Sequence, residues 1–215
     1  MGKGRKPLPV LKNLTITGYA AEGKSMAHHE GKVVFVPGVI PGDVADVQLV
    51  KNKKDWAEGI AIKIVEPSPH RLQPFCEHFG TCGGCKWQHL PYEMQCSFKE
   101  DEVKQHVRRI AKTEPETWLP IIPADFQTQY RNKLEFTFST KSYIPREKLH
   151  DSSTNNEIPA LGFHAPRIFD KVIDISHCHL MEDINNRLRN TFRDYAKEKG
   201  IAFYDIKNHT GWLRN

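Results

Sequence analysis

A chain of 215 residues with a formal charge of +5 is long enough for one good core or two small ones, and mildly basic in a way that suits nucleic acid without demanding it. No apolar run approaches the length of about 18 residues needed to span a membrane, and the opening M-G-K-G-R-K-P-L-P-V has no apolar stretch behind its basic residues, so neither a span nor a secretory signal is expected. Five cysteines, odd in number and unevenly spread, do not make a secreted disulfide framework, and a reducing, cytoplasmic compartment is expected.

Residues 8 to about 66 alternate apolar and polar positions between Gly/Pro turns. The runs Leu14 to Tyr19, Lys32 to Val36, Asp43 to Lys51 and Trp56 to Val65 are separated by A-E-G-K, P-G-V-I-P-G and K-N-K-K-D. Period-two runs at this spacing predict a small closed antiparallel barrel, with Phe35 and Val36 in its core. Between Asp43 and Val50 the alternation slips once, as at a β-bulge. Pro67, Pro69 and Pro74 mark a linker, and after Pro91 a helix is predicted with Tyr92, Cys96, Val103, Val107 and Ile110 on one stripe. Pro115 and Pro120 end it.

A second β-rich region begins at Tyr130, with Leu134, Phe136 and Phe138 alternating. Lys141 to Ile158 is polar, contains S-S-T-N-N and reads as a mobile loop. Leu161 to Phe163 and Lys171 to Ile175 read as strands, and Ile184, Leu188, Phe192 and Tyr195 as the apolar stripe of a second helix stopped by Gly200. Ile201 to Ile206 reads as a strand lacking a partner, and the chain stops at N-H-T-G-W-L-R-N without a terminating signal. The fold expected is α+β and mostly β, in three consecutive parts: a barrel over 8–66, a cysteine segment with its helix over 67–115, and an incomplete antiparallel α+β domain over 116–215.

The most informative segment is C-E-H-F-G-T-C-G-G-C, which places Cys76, Cys82 and Cys85 together, while a fourth cysteine, Cys178, stands in I-S-H-C-H-L. Thiolates hold soft or borderline metals, and four of them suit zinc or an iron–sulfur cluster. Structural zinc sites commonly pair their ligands in two knuckles, whereas three clustered cysteines and one remote partner suit a 4Fe–4S cluster. Zinc stays open as a Cys3His site, with His78, His89, His177 or His179 replacing a thiolate. The Gly83-Gly84 pair lets the backbone wrap closely and aim N–H groups at sulfur. Because 92 residues lie between Cys85 and Cys178, such a site is expected to staple the N-terminal half to the β region. Cys96, on the apolar stripe, reads as a small buried side chain.

A small barrel with basic turns and exposed rings is a platform for single-stranded nucleic acid. Candidate contacts are Lys24, His28 and His29 in one turn and Lys51, Lys53, Lys54 and Trp56 in another, with Trp56 or Tyr19 stacking on a base. Arg131 and Lys133, at the start of a strand beside Tyr130, are further candidates.

These segments together resemble the S-adenosylmethionine-dependent RNA uracil-5 methyltransferases that carry an iron–sulfur cluster. A-E-G-K-S-M-A at 21–27, V-V-F-V-P-G at 33–38 and I-P-G-D-V at 40–44 resemble their TRAM domain, which implies a five-stranded, oligonucleotide-binding-type barrel. R-L-Q-P-F-C-E-H-F-G-T-C-G-G-C-K-W-Q-H-L at 71–90 is similar to their cluster motif, and Y-R-N-K, L-G-F-H-A-P and V-I-D-I-S-H-C-H-L to their central domain. The resemblance implies that Cys76, Cys82, Cys85 and Cys178 ligate a 4Fe–4S cluster, that RNA is the partner, and that S-adenosylmethionine serves the full-length enzyme. It also implies a C-terminal methyl-donor domain that carries the catalytic residues and is absent from this chain, so no catalytic residue is expected here and the chain alone is expected to be inactive. The 23S ribosomal RNA type is the nearest reading, with transfer RNA or a stand-alone zinc-dependent RNA-binding module as alternatives. A monomer with no membrane association is expected.

Overall fold

The computed structural model describes residues 8–145, 157–166 and 168–215. They form two compact units, one running up to Pro74 and resuming over Lys86–Pro123, the other made of Phe75–Cys85 and Ala124–Asn215. The stretch expected as a single cysteine segment over 67–115 is thus divided: its cysteine hairpin packs with one unit and its helix with the other.

The first unit holds one sheet of β1 (Val10–Thr15), β2 (Gly18–Ala20), β3 (Lys24–His29), β4 (Lys32–Pro37), β5 (Val44–Asn52) and β6 (Trp56–Glu66), in the order β1-β5-β6-β4-β3-β2. All pairings are antiparallel except β4 with β6. The closed, five-stranded antiparallel barrel is therefore corrected to a mixed, six-stranded sheet whose hydrogen-bonded ladder does not close. Its two edges are nevertheless consecutive stretches of chain: Ile16 N–H donates to Asp43 O at 2.9 Å and Thr17 N–H to Met26 O at 2.9 Å, so two residues carry the chain from one edge strand to the other. The inward side chains Leu14, Ile16, Ala27, Val34, Val36, Val39, Ala45, Val47, Leu49 and Ala57 make the core. Phe35 is not among them; it lies on the outer face, one residue out of phase with buried Val34 and Val36.

Strand β3 was hidden in the sequence, where Lys24, His28 and His29 read as a turn. Its inward residues are Ser25 and Ala27, too small and too polar to show as apolar alternation, and Ser25 donates to the Val39 carbonyl at 2.6 Å. It pairs with β4 through a two-residue turn, Glu30-Gly31, with φ of 48° and 76°, the doubly left-handed geometry that matches strand twist. The slip expected in β5 is present, as register shifts at three places against β6.

Helix α1 (Tyr92–His106) continues as a π-type turn over Val107–Ala111 and ends before Pro115. Its predicted stripe is not what docks it: Ile110 is 73% exposed, Val103 is also exposed, and Cys96 is half-buried rather than buried. Phe98 makes the attachment instead, its ring centroid 3.9 Å from that of Tyr19, which also meets Trp87 at 5.6 Å. Gln95 donates to the Trp87 and Leu90 carbonyls at 3.1 and 2.9 Å.

The second unit contains β7 (Thr137–Ser139), β8 (Ala160–His164) and β9 (Val172–Asp174) as an antiparallel sheet in that order, and α2 (Asp183–Glu198). Tyr130 to Phe136 is irregular, so Arg131 and Lys133 do not start a strand, although Leu134 and Phe136 still pack on the core of Ala165, Ile173, Ile175, Cys178 and Met181. Ile201 to Ile206 makes only isolated bridges, Phe203 with Leu213 and Asp205 with Thr210. Most of the S-S-T-N-N loop lies outside the described residues; its leading end is tied down where Tyr143 N–H donates to Val172 O at 2.8 Å. The stripe of α2 is also reversed from expectation: Phe192 is 64% exposed and Leu188 50%, with Ile184 and Tyr195 similar, while Asn186, Arg189 and Ala196 are buried.

Candidate metal centre and nucleic-acid face

Cys76, Cys82, Cys85 and Cys178 all belong to the second unit, so the site they would form lies inside one unit, although the chain between Cys85 and Cys178 passes through Lys86–Pro123 of the first. The hairpin carrying the first three is wound tightly: Phe79 N–H donates to Cys76 O at 3.1 Å, and the N–H groups of Thr81 and Cys82 both donate to His78 O. Gly83 has φ of 73°, and a Cβ there would stand 2.8 Å from Pro166 Cγ, so only glycine fits. A Cβ on Gly84 would meet the Cys82 sulfur at 3.4 Å. Backbone N–H groups do aim at sulfur, that of His78 at Cys76 and that of Gly84 at Cys82.

Cys178 is buried in the core beside Cys82. Asn186, one turn into α2, brackets its backbone, accepting from Cys178 N–H at 2.8 Å and donating to Cys178 O at 3.1 Å. Arg189 donates to Asn186 Oδ1 at 2.9 Å and to Ser176 O at 2.6 Å. Burial pushes the Cys76 and Cys82 thiols above their ordinary values, and neighbouring cysteines push the same way, Cys85 and Cys178 for both and Cys76 for Cys82 as well. Among the described residues, however, no three His, Cys, Asp or Glu side chains are arranged to hold one metal ion.

The histidines weighed as ligands are otherwise engaged or placed. His78 Nε2 accepts from Ser176 N–H at 3.3 Å, with Ser176 Oγ donating to Glu77 beside it. The His177 and His179 rings meet at 4.4 Å, and His179 packs edge-on against Phe75. Burial and the neighbouring His177 hold His179 below the usual histidine range. His89 belongs to the first unit, fully buried, where burial and the Arg71 charge push it down to about 4.

The basic candidates divide by what holds them. Lys51 Nζ lies 2.9 Å from Glu58, and Lys24 lies 3.3 Å from Glu22 and 3.8 Å from Glu58, so one carboxylate draws both lysines together. Lys53 and Lys54, at the exposed β5–β6 turn, make no ion pair with the described residues. On the outer face of the sheet, register sets His28 opposite Val33 and Val33 beside Trp56, while Met26 faces Phe35 and Phe35 lies beside Glu58. Tyr19 is unavailable for stacking, since Phe98 and Trp87 cover its ring. Arg131 and Lys133 are exposed in the second unit, with Arg131 N–H donating to Leu180 O at 2.8 Å. Asn186, Arg189 and Phe35 were missed in the sequence; the only signal for the first two was a polar pair at helical spacing opposite the apolar stripe.

Residues 12–62 match the TRAM domain family. The chain is 46% identical over 196 residues to a protein of Bacteroides thetaiotaomicron named an uncharacterized RNA methyltransferase, covering 91% of this chain and 43% of that protein. It is 42% identical over 206 residues to a protein of Porphyromonas gingivalis with the same name, covering 94% and 44%. Among solved structures it resembles the Pyrococcus abyssi tRNA (uracil-54, C5)-methyltransferase in complex with S-adenosyl-L-homocysteine, with a TM-score of 0.57 and 22% identity over 94% of this chain and 41% of that one. The chain spans less than half the length of these relatives.

Proposed function

Because the chain belongs with the TRAM-bearing proteins named RNA methyltransferase, we propose that it is the RNA-binding portion of an S-adenosylmethionine-dependent RNA (uracil-C5) methyltransferase acting on ribosomal RNA in the cytoplasm. The observation that carries this reading is the extent of the relationship, which runs through 91% of the chain and far beyond the 51 TRAM residues at 12–62. In this reading Lys24, His28, Lys51, Lys53, Lys54 and Trp56 line one RNA contact and Arg131 with Lys133 another. Cations meet phosphates, and Trp56 offers a stacking face. Transfer RNA is the second reading, the substrate printed for the structural neighbour.

Cys76, Cys82, Cys85 and Cys178 would hold a 4Fe–4S cluster. The donor set supports the fit, since four thiols belonging to one unit suit such a cluster. In addition, Arg189, 5% exposed, has an Nε with no acceptor among the described residues, a buried cation suited to a negatively charged neighbour. The cluster would act as a cross-link, fixing the hairpin of 75–85 against the loop before α2.

Incubating a longer protein that contains these residues with labelled S-adenosylmethionine tests the activity. Label at uracil C5 of ribosomal RNA is expected, and none with the 215-residue chain alone. Label in transfer RNA would move the substrate to the second reading; label at another position would overturn the reaction. For the site, anaerobically purified chain is expected to contain about four iron and four sulfide. About one zinc and no sulfide would overturn the cluster.

A further inference from the structure

We infer that Arg189 is the counter-charge of the four-cysteine site and, with Asn186, the positioning residue for Cys178. The inference rests on the metal-centre reading above.

Arg189 is almost completely buried, and a buried cation is retained only where an anion or a full set of acceptors meets it. Its acceptors are neutral: Asn186 Oδ1 at 2.9 Å, Ser176 O at 2.6 Å and Asn190 Oδ1 at 3.1 Å. The face of the Phe136 ring lies 4.9 Å from the guanidinium carbon. Among the described residues no carboxylate pairs with it. The nearest candidate, Asp174, is engaged by Arg193 at 3.4 Å and Lys197 at 3.7 Å and accepts from Leu161 N–H at 3.0 Å. Arg189 and the Cys178 N–H donate to the same Asn186 oxygen, which places Cys178 next to the guanidinium in the hydrogen-bond network. A neutral thiol gives the guanidinium little. Four thiolates around a metal group leave net negative charge beside it, which completes the pairing.

The same side chains set geometry. Asn186 clamps both backbone polar groups of Cys178, and Arg189 grips Ser176 two residues earlier, so α2 carries the loop that delivers the fourth sulfur. Charge and hydrogen bonds around the sulfurs tune how readily such a site accepts an electron.

The test uses the whole chain, purified anaerobically and titrated with dithionite, reading the midpoint potential for uptake of one electron together with iron and sulfide content. Absence of iron and sulfide from the wild type would defeat the metal-centre reading itself, before Arg189 is judged. With them present, Arg189→Met is expected to shift the potential to more negative values, since the reduced site loses its cation, while Arg189→Lys, which keeps the charge but not the fork, shifts it less. Equal potentials in the wild type and a loaded Arg189→Met would overturn the inference. Should Arg189→Met fail to fold or to retain iron, Arg189→Gln decides: it keeps hydrogen-bond donors for Ser176 O and Asn186 but removes the charge, and is expected to give the same negative shift. An unchanged potential there overturns the inference.

Discussion

Asp43 has no exposed surface and receives four donors: Ile40 N–H at 2.8 Å, Ser68 N–H at 2.9 Å, and Arg71 through Nε at 3.1 Å and Nη2 at 2.5 Å. Burial alone would raise its carboxyl, but the Arg71 fork and the two N–H groups outweigh that and hold it below the usual carboxylate range. Asp43→Ala leaves those donors without their acceptor and is expected to cost about 3 kcal/mol in urea unfolding of the first unit; a loss under about 1 kcal/mol would show that solvent replaces the carboxylate. His89 behaves oppositely in charge but alike in direction. Its folded value of about 4 lies below the ordinary 6.5, so the unfolded chain takes up the proton first. Stability is present above pH 6.5 and falls as pH drops toward 4, and thermal melts of His89→Leu are expected to lack that part of the slope. Among the surface cations, Lys53→Ala with Lys54→Ala is expected to flatten the salt dependence of RNA binding by about one unit per lost phosphate contact. Lys51→Ala is expected to do less because Glu58 already engages that lysine. Equal slopes for the two variants would refute the division. The three lysines were legible as candidate contacts, but the buried pairings were not: Asp43 read as the first residue of a strand and His89 as an optional ligand, because burial and partners are properties of a site.

At the scale of elements, period-two alternation located β4, β5 and β6 almost to the residue; branched side chains mark inward positions in β4 and β5, whereas in β6 the branched Ile60 and Ile62 are exposed and the buried positions are Ala57 and Gly59. It missed β3, whose inward positions are Ser25 and Ala27. Helical periodicity found both helices and misjudged which face packs. In α2 the sequence pattern shows an apolar stripe, yet the protein side of the helix is defined by Asn186, Arg189 and Ala196. A pattern reports that a helix is two-faced; it does not say which face meets this chain. Two substitutions separate the faces. Leu188→Asp is expected to change the stability of the 215-residue chain by no more than about 0.5 kcal/mol, whereas Asn186→Leu removes the bracket on Cys178 and is expected to cost about 2 kcal/mol. The reverse order in chemical denaturation would mean that the stripe is covered.

At the scale of the whole molecule, the chain is interleaved: it leaves the first unit at Pro74, contributes Phe75–Cys85 to the second, returns for Lys86–Pro123, and then completes the second. Removing the proposed cluster with a chelator is therefore expected to speed amide hydrogen exchange at least about tenfold in 75–85 and 176–181 while leaving 10–66 unchanged, since one unit contains the four thiols proposed to hold it. Acceleration in β1–β6 would contradict that division. No helix among the described residues is long and apolar enough to cross a membrane. The sequence by itself determined the cysteine set, the strand-rich first unit and the resemblance that brought RNA into view, because ligand types, spacing and alternation are local and survive in one dimension. Only the tertiary structure decided that the cysteine hairpin packs with the unit of Cys178, that Asn186 brackets the backbone of that cysteine while Arg189 holds Asn186 and the Ser176 carbonyl, and that Phe35 and Trp56 lie on the outer half of the sheet. Those facts depend on which distant residues exclude water from one another, and that is settled when the chain folds.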